Sequence, residues 1–320
     1  MPKAGKICII TDSNVAPLYL QAVKETLKTD LSFVIEAGES NKNLDTLAGL
    51  YKYFLASRLD RQSILVALGG GVVGDIVGFA AATYMRGIDF IQLPTTLLAQ
   101  VDASVGGKTA VDFEGVKNLI GAFHQPKMVY MNLATLTTLP QEEFISGMGE
   151  VVKHGLIGEA NYYEYLFANR EDIKNLQNEA MLQVVSGSCR IKAAVVAQDE
   201  RESGPREVLN FGHCVGHAIE SLSDYSLPHG QCVSIGMCAA LKLSALPQGE
   251  IDRAVNLMKY FDLPTSWAEY NSEEILATMY KDKKTLNDTL RIVLLKKTGE
   301  AVTDNTQSRK KILEILNESN

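Results

Sequence analysis

The sequence predicts an α/β domain built on a parallel sheet, residues 1–139, followed by a mostly α-helical domain, residues 140–320. Three observations carry this reading. Short β-rich runs alternate with helical periodicity through the first 140 residues, helical periodicity takes over after Leu139-Pro140, and 320 residues suit two domains of ~100–200 residues each.

The elements follow in order. Lys6–Thr11 (KICIIT) is a short apolar run suited to a buried strand, and Ala16–Lys28 carries a helical pattern. Leu31–Glu36 is a second strand and Leu44–Ser57 a further helix; Ser63–Leu68 (SILVAL) is a strand ending in a glycine turn. Phe90–Leu93 and Met128–Met131 complete the expected strands of this half. Strands separated by helices of this length imply crossover units and a parallel sheet. In the second half, Gln141–Leu166, Asp172–Gln198, Gly212–Ser223, Gln231–Leu246 and Ile251–Tyr260 have helical periodicity, and only Leu290–Leu295 (LRIVLL) has strand character. Lys281–Lys284 and the charged tail after Gln307 are expected to be solvated surface.

Lys and Arg number 31 against 38 Asp and Glu, a net charge of −7, which lacks the basic footprint of a nucleic-acid binder. The expectation is no nucleic-acid partner. No run of about 18 apolar residues suggests a membrane span, so no membrane partner is expected. The N-terminal residues show neither a secretory apolar region nor a cleavage site. The five cysteines are scattered without a C-x-x-C pair, which fits reduced thiols and a cytoplasmic protein.

Leu68-Gly69-Gly70-Gly71-Val72-Val73-Gly74-Asp75 follows a strand and opens a helix, and Gly69, Gly71 and Gly74 fit G-x-G-x-x-G. Glycines there let a pyrophosphate approach the backbone at a helix N-terminus, although such turns also close strand–helix junctions that bind nothing. The acidic residue that usually follows some twenty positions later would be Asp89, whose simpler role is to flank a strand. Asp75 lies at the start of an apolar helix, either as an N-terminal cap or as an acceptor for a hydroxylated substrate. The Gly-Lys-Thr ending at Thr109 is not a P-loop, because no glycine stands five residues before Gly107, where that motif needs one.

His213 and His217 share a helix face at i,i+4, and His229 follows in Pro228-His229-Gly230, so three of five histidines fall between residues 213 and 229. Neutral imidazoles with one carboxylate suit a divalent metal with an open position for substrate. Glu150, set among small residues in Gly147-Met148-Gly149-Glu150, is the candidate carboxylate; His154 is a lesser one, and an i,i+3 ion pair with Lys153 is the plainer role for Glu150. Arg86, Lys108, Lys153, Lys192 and Arg206 stand in small or apolar settings, cations suited to a phosphorylated small-molecule substrate.

Together these stretches resemble the 3-dehydroquinate synthases, a branch of the sugar-phosphate cyclases. The matching segments are LGGGVVGDIVGFAAATYMRG (68–87), QLPTTLLAQVDASVGGKTAVD (92–112), KNLIGAFHQP (117–126), GMGEVVKHGLI (147–157), RIKAAVVAQDERESGPREVLNFGHCVGHAIE (190–220) and PHG (228–230). The resemblance implies a Rossmann-like NAD-binding domain joined to a helical metal-binding domain, with NAD and one divalent metal, zinc or cobalt. The implied metal ligands are Glu150, His213 and His229, with His217 facing substrate. NAD contacts would fall on Asp12, Asn14, Glu39, Lys42, Gly70, Gly71, Val72, Thr95, Thr96 and Lys117, with Glu39 and Lys42 rather than Asp89 at the adenosine ribose. Substrate contacts would be Asp75, Asp102, Lys108, Asn118, Lys153, Lys192, Arg206, Asn210 and Lys283 or Lys284. Arg86 would reach the neighbouring subunit's site, which implies a homodimer.

The implied reaction turns 3-deoxy-D-arabino-heptulosonate 7-phosphate into 3-dehydroquinate and phosphate, in the route to aromatic amino acids. A ring hydroxyl is oxidised by NAD, phosphate is eliminated, the ketone is reduced back, and the ring opens and recloses. Lys153 would steady an oxyanion, and His217 and Glu202 would move protons through water. Another sugar-phosphate cyclase or a metal-dependent NAD polyol dehydrogenase is the alternative. Three departures stand out: longer members carry additional β structure ahead of the first strand, the usual His-Gly-Glu is His229-Gly230-Gln231, and Cys214-Val215 replaces Thr-Phe. Losing the carboxylate at 231 is expected to loosen His229, whereas the second exchange is expected to be a neutral packing change.

Overall fold

The computed structural model describes residues 5–202, 204–281 and 290–318. They form two compact units, divided between Leu139 and Pro140.

The first unit runs β1 (Ile7–Asp12), α1 (Gln21–Leu27), β2 (Ser32–Ile35), α2 (Leu44–Ala56), β3 (Ile64–Gly69), α3 (Gly71–Thr83), β4 (Asp89–Pro94), β5 (Lys108–Phe113), β6 (Val116–Phe123) and β7 (Met128–Val129). Five strands form a parallel sheet in the order β2-β1-β3-β4-β7. The period-two alternation of β1 sends Cys8 and Ile10 to one face, with α2 and α3, and Ile9 to the other, with Val23 and Leu27 of α1. Helices therefore cover both faces, the condition under which strands become near-continuous apolar runs. Strand order reverses between β1 and β3, so the carboxyl ends of these strands flank the crevice where doubly wound sheets bind ligands. Asp12 ends β1 and the glycine turn ends β3.

Some elements differ from the sequence reading. The expected helix from Ala16 begins as a wider π turn, Ala16–Leu20, with Pro17 in its first turn. Lys108–Phe123 folds as an antiparallel hairpin turned by Glu114 (φ 50°) and Gly115 (φ 75°), a left-handed pair of the kind that closes two-residue hairpins. Lys108 thus opens a strand and not a phosphate-binding helix.

The second unit contains α4 (Gln141–Ile157), α5 (Ala160–Ala168), α6 (Arg170–Lys174), α7 (Asn178–Gln198), α8 (His213–Leu222), α9 (His229–Leu243), α10 (Gln248–Tyr260), α11 (Ser272–Lys281), β8 (Ile292–Lys297), β9 (Glu300–Asp304) and α12 (Arg309–Asn317). The single helix expected over 141–166 breaks at Gly158, and that over 172–198 is split where Leu176 turns left-handed (φ 53°). β8 pairs with β9, a second strand of this half that carries too few apolar residues to be read in advance. The tail after Gln307 is not all solvated surface: α12 buries Ile312, Ile315 and Leu316. Among the described residues one helix, Asn178–Gln198, is long and apolar enough to cross a membrane by length and composition alone; it is interrupted by polar residues such as Arg190 and Lys192, and half of its apolar window is buried. None of the five cysteines is joined in a disulfide.

Candidate active site

In the first unit, the glycine turn is shaped by its neighbours. A Cβ at Gly69 would stand 2.6 Å from a Val73 methyl, and one at Gly70 would stand 3.0 Å from a Thr96 methyl. β3 and β4 run in register to Gly69 and Pro94, and the Thr95 N–H donates to the Gly69 carbonyl at 3.0 Å. Thr95 and Thr96 are thereby set beside the turn. No side chain caps the N-terminus of α3, which leaves its first N–H groups available to an anion. The buried Thr95 Oγ1 has no hydrogen-bond partner among the described residues, a polar atom that a bound group would satisfy. Asp12 Oδ1 accepts from the N–H groups of Asn14 and Val15, both at 2.9 Å, which fixes the chain leaving β1.

Lys42 links several predicted residues. Its Nζ donates to Asp75 Oδ2 at 2.6 Å and Asn118 Oδ1 at 2.5 Å, and lies 3.8 Å from Glu39 Oε1. Burial disfavours its charge, but Asp75 and Glu39 outweigh that and raise its pKa. Asp75 is the fifth residue of α3, so it serves Lys42 and not as a helix cap. Asn118 is held with φ 53° by its N–H bond to Asp112 Oδ1 at 2.7 Å, and Lys117 precedes it on β6. Asp102 lies in the π turn Ala99–Ala103, and Lys108 is exposed at the start of β5. Asp89 forms an exposed ion pair with Lys127 at 3.5 Å, which agrees with its strand-flanking role. Arg86 is exposed on a turn where Met85 (φ 50°), Arg86 (φ 69°) and Gly87 (φ 121°) are all left-handed, a costly conformation for two non-glycine residues.

In the second unit, three helices meet at their backbones. A Cβ at Gly149 of α4 would collide with the Gly230 carbonyl of α9, and one at Gly230 with the Ser146 carbonyl. Likewise a Cβ at Gly236 of α9 would strike the Gly212 carbonyl at the start of α8. Only glycine permits such contact. The result brings Glu150 of α4, His213 of α8 and His229 of α9 together. Glu150 Oε1 lies 3.7 Å from His213 Nε2 and 3.6 Å from His229 Nε2. Glu150 is fully buried, and its other oxygen forms a close ion pair with Lys153.

These three offer ligand atoms all within 4.8 Å of one another. The donor set, two imidazoles and a buried carboxylate, suits a divalent ion. Burial and the Lys153 charge pull the His213 pKa well down. For His229 burial acts the same way, but Glu150 and Glu220 outweigh it and raise the pKa to about 9. The His217 ring packs 5.2 Å from that of His213 and 5.9 Å from that of His229. His154 is also buried on α4, one turn beyond Glu150.

The remaining predicted residues of this unit sit nearby in sequence. Lys192 is buried on α7, and Arg206 is buried in the 3-10 turn Pro205–Asn210 with Nη1 donating to the Glu200 carbonyl at 2.5 Å. Asn210 Nδ2 donates to Glu202 Oε1 at 2.8 Å. Lys283 and Lys284 lie outside the described residues.

Two residues escaped the sequence reading. Asp199 Oδ2 accepts from the N–H groups of Gly204 (2.7 Å) and Arg206 (3.2 Å) and so pins the segment carrying Arg206. Glu220 Oε2 lies 3.4 Å from His229 Nδ1. Its signal was present, since residues 213, 217 and 220 follow the i, i+4, i+7 spacing of one helix face.

The fold is one that sugar-phosphate cyclases share. The structure matches 2-epi-5-epi-valiolone synthase from Streptomyces hygroscopicus, a structure with NAD+ and Zn2+ bound, at 26% identity and TM-score 0.90, covering 98% of this chain and 90% of the other. It also matches 2-deoxy-scyllo-inosose synthase complexed with carbaglucose-6-phosphate, NAD+ and Co2+, at 26% identity and TM-score 0.85, covering 100% and 92%. Family models for 3-dehydroquinate synthase N-terminal and C-terminal match residues 32–146 and 147–285. A 3-dehydroquinate synthase from Acetivibrio thermocellus is 49% identical over 308 residues, 93% of this chain and 85% of the relative. The chain belongs to the 3-dehydroquinate synthase family.

Proposed function

We propose that this chain converts 3-deoxy-D-arabino-heptulosonate 7-phosphate into 3-dehydroquinate and phosphate, a carbon–oxygen lyase reaction dependent on NAD and one divalent metal, zinc or cobalt. The observation that carries this reading is the convergence of Glu150, His213 and His229 in a chain 49% identical to a named 3-dehydroquinate synthase.

Residues 1–139 form the NAD-binding domain and 140–320 the metal- and substrate-binding domain. Gly70, Gly71 and Val72 take the NAD pyrophosphate on the uncapped start of α3. Asp12, Asn14, Thr95, Thr96 and Lys117 contact the rest of the cofactor, with Glu39 and Lys42 towards the adenosine ribose. Glu150, His213 and His229 hold the metal. Bound there, the ion supplies Lewis acidity and NAD a hydride acceptor that is restored within each turnover.

Lys153, buried against Glu150, keeps a cation where an oxyanion develops. His217 and Glu202 pass protons through water. Asp75, Asp102, Asn118 and Asn210 orient substrate hydroxyls. Lys108, Lys192, Arg206 and Lys284 supply cations for the anionic groups. Arg86 reaches the phosphate in the neighbouring subunit of a homodimer.

The test is phosphate release from the heptulosonate phosphate, with and without chelator. Turnover should need NAD, stop on chelation with far-UV circular dichroism unchanged, and return with Zn2+ or Co2+. Net NADH accumulation from a simple polyol without phosphate release would overturn the reading in favour of a dehydrogenase.

A further inference from the structure

We infer that Glu220 is a positioning residue for His229: its carboxylate accepts a hydrogen bond from Nδ1–H and leaves the Nε2 lone pair facing Glu150 and His213. The inference rests on the reading of Glu150, His213 and His229 as metal ligands.

A neutral imidazole carries one proton, on either nitrogen. A histidine that ligates through Nε2 must keep that proton on Nδ1, and an acceptor behind the ring fixes both tautomer and orientation. For His213 the acceptor is backbone: Nδ1 lies 3.1 Å from the Phe211 carbonyl oxygen. For His229 it is a side chain, Glu220 Oε2 at 3.4 Å, while Nε2 on the other side of the ring lies 3.6 Å from Glu150 Oε1. The bond to Glu220 is long and the His229 side chain is 31% exposed, but the accepting carboxylate is itself shielded from solvent, at 6% exposure.

The family's usual His-Gly-Glu places a carboxylate at position 231, but the one behind the His229 ring is Glu220, within the matching GHAIE run. Two residues along α9 turn the side chain about 200° round the helix axis. Gln231 therefore leaves on the face opposite His229, and a glutamate there is not the proton acceptor. Glu220 comes from α8, in the same helical row as His213 and His217. One helix thus supplies a ligand and the support for another.

The experiment compares metal-free wild type, Glu220→Gln, Glu220→Ala, Gln231→Glu and His213→Ala in competition with a chromophoric chelator for Zn2+ and Co2+. Thermal unfolding of each metal-free protein is followed alongside. Positioning predicts a graded loss of affinity: about 10-fold for Glu220→Gln and nearer 100-fold for Glu220→Ala, with Gln231→Glu unchanged. A space-filling role predicts that glutamine, which has the same size, binds metal as glutamate does; that result overturns the inference. So does tighter binding in Gln231→Glu. If Glu220→Ala does not fold, the glutamine variant alone decides. Wild-type affinity in His213→Ala would instead overturn the metal-ligand reading, a failure distinct from the first.

Discussion

Lys42 and Asp75 form a charge-assisted hydrogen bond of 2.6 Å between a lysine at 4% exposure and a carboxylate at the start of a buried helix. The pair ties the segment after β2 to α3, and through Asn118 it also reaches β6. Replacing Lys42 by Met keeps the aliphatic stem and removes the donor. With the Asp75 side chain only 21% exposed, the change should cost about 1–3 kcal/mol of stability. Urea unfolding at constant m-value checks this, and an unchanged midpoint would show that water replaces the lysine without loss.

Glu39→Ala should weaken NAD binding by roughly 1.5–3 kcal/mol if its carboxylate accepts ribose hydrogen bonds. The structure adds a control, because Glu39 also lies 3.8 Å from Lys42. Calorimetric titration of NAD gives the affinity and thermal unfolding the stability. Equal affinity in wild type and variant moves the ribose site elsewhere, with Asp89 next to test.

Metal binding should release a proton. In the metal-free protein the His229 ring holds its second proton up to about pH 9, donating to the carboxylates of Glu150 and Glu220. The sign follows from the raised value: this contribution to stability is complete below about pH 6.5, the unfolded value, and is lost as pH rises through about 9. A metal competes with that proton, so affinity should climb with pH until about 9 and then level off. Calorimetry in two buffers of different ionisation enthalpy counts the protons; a count of zero at pH 7 contradicts the prediction.

Arg86 acting across a dimer can be read from mixing. Arg86→Ala and Lys153→Ala homodimers should each be nearly inactive. In a heterodimer both lesions fall in one site and the other is whole, so subunit exchange should restore up to about a quarter of wild-type activity on a symmetric-dimer model. If Arg86 serves its own subunit, every site keeps one lesion and nothing returns despite exchange.

The parallel sheet was legible because β1 and β3 are apolar runs bounded by turn residues, a signal that needs no tertiary information. The hairpin at Glu114-Gly115 was not read: its strands expose Phe113, Val116, Leu119 and Phe123, so no clean alternation marks them. β9 is recognisable only from its partner β8. The candidate metal site was half legible, because His213 and His217 declare a helix face locally. Glu150 and His229 come from helices whose meeting depends on backbone contact far apart in sequence. Glu220 had the right spacing, but nothing local distinguishes a carboxylate facing an imidazole from one facing solvent.

The glycine contacts at Gly149, Gly230 and Gly236 have a consequence for which ions the centre can accept. Where helices touch through side chains, rotamers can yield and the axes can slide apart by fractions of an ångström. Here peptide groups are already in contact, so the spacings of α4 from α9 and of α9 from α8 have a hard lower limit that no rotamer can relax. If Glu150, His213 and His229 hold the ion as proposed, a smaller ion would not draw the frame inwards, and their torsions would absorb the difference in radius. The choice among divalent ions is thereby left to three side chains moving over a fixed chassis.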